Sequence, residues 1–564
     1  MSYRAQVEDI RFIFDNVAPV EQLRATERFA EVSADLSDAV LDGMGKLCEE
    51  VIYPTARDGD LTPAKLENGV VRTSPGFKEA FEAIAEGGWV AVSGPEAQGG
   101  MGLPIAYTTA FNEMMSSSNM ALGLCPLLTQ GQVEALEHHA SDELKEHYLP
   151  KLISGEWTGT MNLTEPGAGS DVGALKSKAE PNGDGTYAIS GQKIFITWGD
   201  HDFGGNVCHL VLARLPDGVK GTKGISLFMV PKYLLDENGN PGVANDLKVV
   251  SLEHKLGIHG SPTAVMQFDG AKGWLVGEEH KGMAAMFTMM NNARLGVASQ
   301  GVGIAEAAYQ KALDYAKERQ QFGPIVNHAD VRRMLIGMKA DTFAARSIVM
   351  SCAIALDMAT ATGTPEWKAR AALLTPIAKS FATEVGIDVA EEGVQVHGGM
   401  GFIEETGAAQ FSRDVRITAI YEGTNGIQAM DLVGRKMMDG GEAANVLLDE
   451  IEAEVEAARA AMPELAEPVW QACESLREAV EWLVSQSDMN TRFAGSVPFL
   501  MAFGRVLGAY YHMKAALAEG GEGPRSKLAR FYIRRLLPQH VSYLEHARAG
   551  ADDLYAFSLE ELEA

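Results

Sequence analysis

The 564-residue chain carries 48 Lys and Arg against 76 Asp and Glu, a formal net charge of -28, and 46% of its residues are hydrophobic. So much negative charge repels phosphate backbones, which excludes nucleic acid as a partner, while the apolar content suffices for large cores in about three or four domains. Cys48, Cys125, Cys208, Cys352 and Cys473 are scattered and odd in number, a usage that fits a reducing cytoplasm and provides neither a disulfide framework nor a metal site.

The first ten residues lack the apolar core of a signal peptide, and no uninterrupted apolar run approaches the ~18 residues of a membrane span, so the expectation is a cytoplasmic protein without membrane insertion. Residues 1–157 read as an N-terminal extension and helical domain: apolar positions recur at helical spacing from Val20 to Glu50 and again at Val133, Leu136, Ala140, Leu144 and Tyr148. Pro54, Pro75 and Pro95 punctuate its loops.

Residues 158–281 change to short alternating runs, a middle β-domain. Strands are expected at Tyr187–Trp198, Val207–Leu215, Gly224–Val230, Val249–His254 and Ala264–Phe268, with a turn at Pro181-Asn182-Gly183-Asp184-Gly185. The helical period returns over residues 282–440, in stretches at Ala293–Lys317, Asp330–Ala361 and Lys368–Val396 long enough for a bundle. Gly440-Gly441 marks a joint before an additional helical domain, residues 441–564, which contains a loop from Ala518 to Pro524. The fold class is therefore α+β multidomain.

Five segments could carry chemistry. Met161-Asn162-Leu163-Thr164-Glu165-Pro166-Gly167-Ala168-Gly169-Ser170-Asp171 offers small residues that admit a ring or pyrophosphate to backbone N–H groups, with hydroxyl donors at Thr164 and Ser170. It lacks GxGxxG spacing and a βαβ setting, which disfavours a nicotinamide site, and it also fits a plain Gly-rich connector. In Lys193–Trp198 the strand period puts Phe195 and Thr197 on one face, suited to a flat heterocycle or to a β-core. Glu318-Arg319-Gln320-Gln321-Phe322-Gly323-Pro324 ends a helix with an arginine that can meet a phosphate or the helix dipole. Gln395-Val396-His397-Gly398-Gly399-Met400-Gly401 is a second Gly-rich exit, in which His397 fits a structural role. Glu422-Gly423, after Val415, Ile417 and Ile420, sets a carboxylate beside a permissive backbone, the pattern of a solvated turn or of a base.

In this order the strings TEPGAGSD, KxFIT, ERxQFG, QxHGGxG and IYEGTNGIQ resemble the acyl-CoA dehydrogenase family over roughly residues 40–435. The N-terminal stretch and extra C-terminal block are similar to its longer subgroup, which includes the 3-methylmercaptopropionyl-CoA dehydrogenases of dimethylsulfoniopropionate catabolism. The resemblance implies a helical N-domain, a middle β-domain and a C-terminal four-helix bundle, with FAD as cofactor. It implies that Met161, Leu163, Thr164, Gly169, Ser170, Phe195, Ile196 and Thr197 line the flavin, Thr164 bonding the ring. Arg319, Gln321 and Phe322 would reach a neighbouring subunit's FAD, Gln395, Gly398 and Gly399 would hold the adenine end, and Thr424 and Gly426 would touch the cofactor beside the base.

Glu422 matches the family's catalytic base. Some relatives carry that carboxylate immediately before the arginine matching Arg294, where this chain has Ala293. Ser170, Asn291, Arg294 and Gly423 match substrate-contacting positions. By the same resemblance Glu422 abstracts the α-proton, its backbone N–H and a ribityl hydroxyl polarise the thioester carbonyl, and the β-hydride passes to flavin N5, giving the 2-enoyl-CoA. A base of this kind works in a water-poor pocket, where desolvation raises a carboxylate's pKa toward neutrality.

An electron-transfer flavoprotein would be the electron acceptor. Phe287, Met289, Met290 and Met400 could line the acyl pocket or simply fill core. Gly426 and Ala329 depart from polar residues common in relatives, which leaves the adenine-end contacts open. The block beyond 445 is expected to cover a face that shorter relatives use for tetramer packing, giving a homodimer. The expected substrate is 3-methylmercaptopropionyl-CoA; the alternatives are a broad short- to medium-chain acyl-CoA dehydrogenase and, from another class, a flavin- or acyl-CoA-binding subunit without turnover.

Overall fold

A computed structural model describes residues 3–564; Met1 and Ser2, which begin the expected N-terminal domain, lie outside the described residues. The chain divides into two units, one running from Asp42 to Gly296 and the other joining the N-terminal segment up to Leu41 with Val297–Ala564.

In the Asp42–Gly296 unit the helical reading of the first domain needs one correction. Strands β1 (Lys65–Glu67) and β2 (Val70–Arg72) form a hairpin. Its two-residue turn, Asn68-Gly69, has φ of 52° and 79°, the left-handed pair for which Asn-Gly is the usual sequence. The helix Ile105–His139 is buried over most of its length and departs from helical geometry at Asn119, whose side chain accepts from the Leu122 N–H (3.1 Å) and donates to the Thr55 hydroxyl (2.8 Å).

The sheet that follows has seven strands: β3 (Thr158–Asn162), β4 (Lys178–Pro181), β5 (Tyr187–Thr197), β6 (Val207–Arg214), β7 (Ile225–Pro231), β10 (Leu247–Leu252) and β11 (Thr263–Val276). The order is β10-β11-β5-β4-β6-β3, with β7 paired to both β6 and β11. β8 (Tyr233–Leu235) and β9 (Pro241–Ala244) form a separate hairpin. Strand β11 runs well beyond the expected Ala264–Phe268. β3 lies parallel to β6 and has no apolar alternation because it is covered on both sides. On β6, Cys208, Leu210 and Leu212 enter one core with Leu136, Leu149 and Trp157, while Val211 and Ala213 enter another with Phe228 and Phe268. The period of two thus sorts one strand between two cores.

The second unit is helical. Its main helices are the part of Gly282–Glu318 from Val297 onward, Ala329–Thr362 and Pro365–His397, followed by Glu442–Ala458, Pro463–Ser485, Ser496–Ala518, Pro524–Arg535 and Gln539–Arg548. Ala329–Thr362 is long and apolar enough to cross a bilayer, but it is mostly buried within the protein. Gly440 and Gly441, both at positive φ, precede the added block. Ser496–Ala518 packs that block onto the bundle: Arg505 pairs with Asp341, His512 Nε2 lies 3.0 Å from the Ala340 carbonyl, and a side chain at Gly504 would strike the Phe381 ring at 2.3 Å. At the N-terminal end, Asp9 of the helix Val7–Asn16 pairs with Arg525 (2.7 Å) and with buried Arg346 (3.4 Å), which also binds Glu306 at 2.8 Å.

Candidate functional site

Strand β3 delivers Met161 and Asn162 and then the Leu163–Ser170 loop. Lys193 on β5 is fully buried; its Nζ donates to the Leu163 carbonyl (3.0 Å) and to Glu165 Oε1 (2.8 Å), and the Ile194 N–H donates to the Thr164 carbonyl (2.9 Å). Burial pulls the Lys193 pKa down to about 8. Burial works to raise the Glu165 pKa, but Lys193 and the Ser177 and Lys176 N–H groups hold it below the usual value. These bonds place Leu163 and Thr164 against the Phe195 segment.

On β5 the register against β11 shifts between Lys193 and Ile196, a bulge at which Phe195 takes φ 60° and is 59% exposed. Phe195 is therefore not a core residue, and Thr197 shares its partly open side while Ile196 points into the core. Met161 and Leu163 are half-buried against a core cluster, so with Ile196 they offer a ligand mainly backbone. Gly169 and Ser170 are exposed, and nothing lies within 4 Å of a side chain added at Gly167 or Gly169. In the same unit Arg294 is buried with its Nη1 3.3 Å from Asn291 Oδ1, and Asn291 is exposed. Met289 is buried against Gly131, and Met290 and Phe287 are half-buried; of the two readings open for Met289, its burial fits the core one.

In the other unit the segment around Glu422 is tightly tied. The helix Ala408–Val415 passes into a 3-10 turn, Arg416–Ala419, then Tyr421, whose hydroxyl donates to Gln300 Oε1. Glu422 (φ 55°) and Gly423 (φ 81°) are consecutive left-handed residues, and Glu422 is half-buried. A non-glycine residue held there costs of order 1–3 kcal/mol and persists where its surroundings fix it. Gln428 Nε2 donates to the Glu422 carbonyl (3.1 Å), and buried Lys379 Nζ donates to the Gly423 carbonyl (2.9 Å) and to Asn425 Oδ1 (2.9 Å). Thr424 caps the helix Asn425–Asp431, its hydroxyl accepting from the Ile427 N–H (3.2 Å), and with Gly426 and Arg416 it lines a cleft of about 430 Å³.

Arg319, Gln321 and Phe322 sit in a tight turn after the helix Gly282–Glu318. The Ile325 N–H donates to the Arg319 carbonyl (2.9 Å), the Gln321 N–H donates to the Gly323 carbonyl (2.8 Å), and Phe322 (φ 52°) projects entirely into solvent. Gln395, Gly398 and Gly399 are exposed at the end of Pro365–His397. His397 is structural: its Nδ1 lies 2.7 Å from the Gly393 carbonyl and its ring stacks on Tyr315 at 4.4 Å, joining this exit to the helix that carries the Arg319 turn. Met400 is 44% exposed beside Phe402 and Ile403 rather than enclosed in a pocket.

These features fit FAD. Within the Asp42–Gly296 unit, the exposed Phe195 ring and the open edges at Gly167 and Gly169 admit a flat heterocycle; within the other unit, taken by itself, the open edges at Gly398 and Gly399 admit a phosphate-bearing tail. Profiles of the acyl-CoA dehydrogenase N-terminal, middle and C-terminal domains match residues 35–156, 160–271 and 280–438, and an acetyl-CoA dehydrogenase C-terminal-like profile matches 447–558. The chain is 45% identical to the 3-methylmercaptopropionyl-CoA dehydrogenase of Ruegeria pomeroyi over 550 residues, 94% of each chain. The chain belongs to the acyl-CoA dehydrogenase family.

As an acyl-CoA dehydrogenase it is an FAD-dependent oxidoreductase acting on acyl-CoA. It is also 33% identical to the broad-specificity linear acyl-CoA dehydrogenase FadE5 of Mycobacterium tuberculosis, over 96% of this chain and 97% of that one. Its fold matches that of an acyl-CoA dehydrogenase from Bacillus anthracis complexed with FAD (TM-score 0.76, 21% identity, 97% and 92% coverage).

Motif reading quoted Glu165, Lys193, Asn425 and Gln428 inside its strings without giving them a role, and it missed Lys379; all five hold the acyl-CoA dehydrogenase motifs in shape. A lysine inside an apolar helical run, Thr375-Pro376-Ile377-Ala378-Lys379-Ser380-Phe381-Ala382, was the available signal for Lys379. Left-handed backbone at Phe195, Phe322 and Glu422 had no glycine to announce it.

Proposed function

We propose that this acyl-CoA dehydrogenase converts 3-methylmercaptopropionyl-CoA to methylthioacryloyl-CoA, with Glu422 as the base that removes the α-proton. The near full-length identity to the Ruegeria enzyme carries the choice of substrate. The clamped left-handed backbone at Glu422-Gly423 supports the choice of base, since such strain gathers at functional residues. Ala293, where some relatives carry the carboxylate, supports it too.

Glu422 takes the α-proton onto a carboxylate oxygen. Arg294, Asn291, Ser170 and Gly423 orient the thioester, and Leu163, Thr164, Phe195 and Thr197 set the ring of the cofactor. Bound FAD supplies the hydride acceptor. Arg319, Gln321, Phe322, Gln395, Gly398, Gly399, Thr424 and Gly426 hold the rest of it, the first three from the neighbouring subunit of a homodimer. We read the enzyme as cytoplasmic, passing its electrons to an electron-transfer flavoprotein.

Turnover with 3-methylmercaptopropionyl-, butyryl- and octanoyl-CoA tests the substrate. The expected result is at least about tenfold higher kcat/KM for the sulfur-containing thioester, the scale on which small differences in apolar contact discriminate. Equal or faster octanoyl-CoA oxidation would favour a broad-specificity reading, which the likeness to FadE5 supports.

A further inference from the structure

We propose that Lys379 is a positioning residue for the reaction, holding the base-bearing loop in its left-handed conformation from inside the bundle. This rests on Glu422 being the base.

Lys379 is fully buried on Pro365–His397. Two of its three ammonium donors go to the Gly423 carbonyl and to Asn425 Oδ1, both at 2.9 Å. The Asn425 amide continues to the Thr383 hydroxyl (3.0 Å) and Glu384 Oε1 (2.6 Å). Lys379 and Thr383 are four residues apart, on one face of the helix. One rigid helix therefore grips the loop at Gly423 and again at Asn425. Gln428 grips the peptide before Gly423, through the Glu422 carbonyl. Two residues beyond Lys379, Phe381 packs on Gly504 of the added domain, which keeps that helix from shifting.

A buried ammonium costs far more to desolvate than a methionine of similar length, so what the lysine provides is its donors. Glu422 and Gly423 relax toward commoner backbone angles when those donors go, and the carboxylate then leaves the line it needs toward the α-carbon. Displacement of about 1 Å from a reacting geometry costs roughly 10²-fold in rate.

Lys379→Met and Asn425→Ala in the full-length, FAD-loaded protein test this. Three readouts apply: steady-state kinetics; α-deuterium incorporation into a 3-thiaacyl-CoA, which can lose its α-proton but has no β C–H to surrender; and amide hydrogen exchange of the 417–428 segment. For Lys379→Met the expected result is a roughly 10²-fold fall in kcat and in α-exchange, with KM within about threefold. Amide exchange should quicken in 417–428 and stay unchanged elsewhere. Asn425→Ala, which removes the Asn425 acceptor and leaves the Gly423 carbonyl in place, should give about a tenfold fall with the same local exchange, and it decides the matter if the lysine variant does not fold.

Wild-type kcat in the folded variants, or a loss of kcat accompanied by faster exchange throughout the chain, would overturn the role of Lys379. Glu422→Gln is the control. If it keeps turnover, the base assignment fails; if it is inactive while Lys379→Met is active, only the positioning role fails.

Discussion

Glu165 and Lys193 are 8% and 0% exposed in their side chains, and their pairing fixes the strand exit on which Leu163 and Thr164 ride. Removing one partner of a buried pair is expected to cost about 3–5 kcal/mol, so Glu165→Gln should lower the denaturation midpoint strongly at pH 7. The Glu165 pKa is lowered in the folded protein, so its contribution is present above the ordinary value of 4.5 and is lost as pH falls through the folded value. The wild type and the variant should therefore converge below pH 4.5 in denaturation series; a constant gap across pH would contradict this. The segments holding Thr164, Phe195, Arg319 and Glu422 stood out in the sequence because their motifs are contiguous strings. The holding roles of Lys193, which sits inside such a string, and of Lys379, which sits in none, were not legible, because a lysine in sequence reads as a solvated charge, and only the fold shows which carbonyls and amides surround it.

Among elements, the long helices and most strands of the sheet were legible from period and turn residues, since each repeats one burial pattern over many positions. Strand β3 was not: Thr158-Gly159-Thr160-Met161-Asn162 shows neither alternation nor β-branched richness, and its burial comes from neighbours on both faces. The β1–β2 hairpin carried its signal in Asn68-Gly69 but lies within a helical context that overrode it. The Arg319–Ile325 turn shows the reverse case, a contiguous motif whose Phe322 ring packs on nothing among the described residues of its own chain and projects into solvent. Phe322 is fully exposed, so Phe322→Ala should leave the thermal midpoint of the isolated chain almost unchanged, within about 0.5 kcal/mol, as for surface positions. If it reaches a neighbour's FAD, the variant should lose cofactor on dilution, read as FAD released in gel filtration; unchanged retention would contradict that role.

On the scale of the whole molecule, the extra segments at both ends belong to the helical unit. Asp9 ties the N-terminal helix to Arg346 of the bundle and to Arg525 of the added domain, and Arg525 lies over the Phe12 ring at 3.8 Å. Asp9→Ala should cost about 2 kcal/mol, the range of hydrogen bonds to charged groups, and lower the first unfolding transition in calorimetry; an unchanged transition would show the tie to be idle. The packing of Ser496–Ala518 on Ala329–Thr362 and Pro365–His397 was beyond sequence reading, because a helix buried all round shows no apolar stripe to orient it.

Anaerobic mixing of the FAD-loaded protein with 3-methylmercaptopropionyl-CoA, followed by bleaching of the flavin band in wild type and Glu422→Gln, reads the proposed base most directly. The variant should keep its FAD and bleach roughly 10²–10⁴-fold more slowly, the usual contribution of a general base. Bleaching at the wild-type rate with FAD bound would contradict Glu422 as the residue that takes the proton.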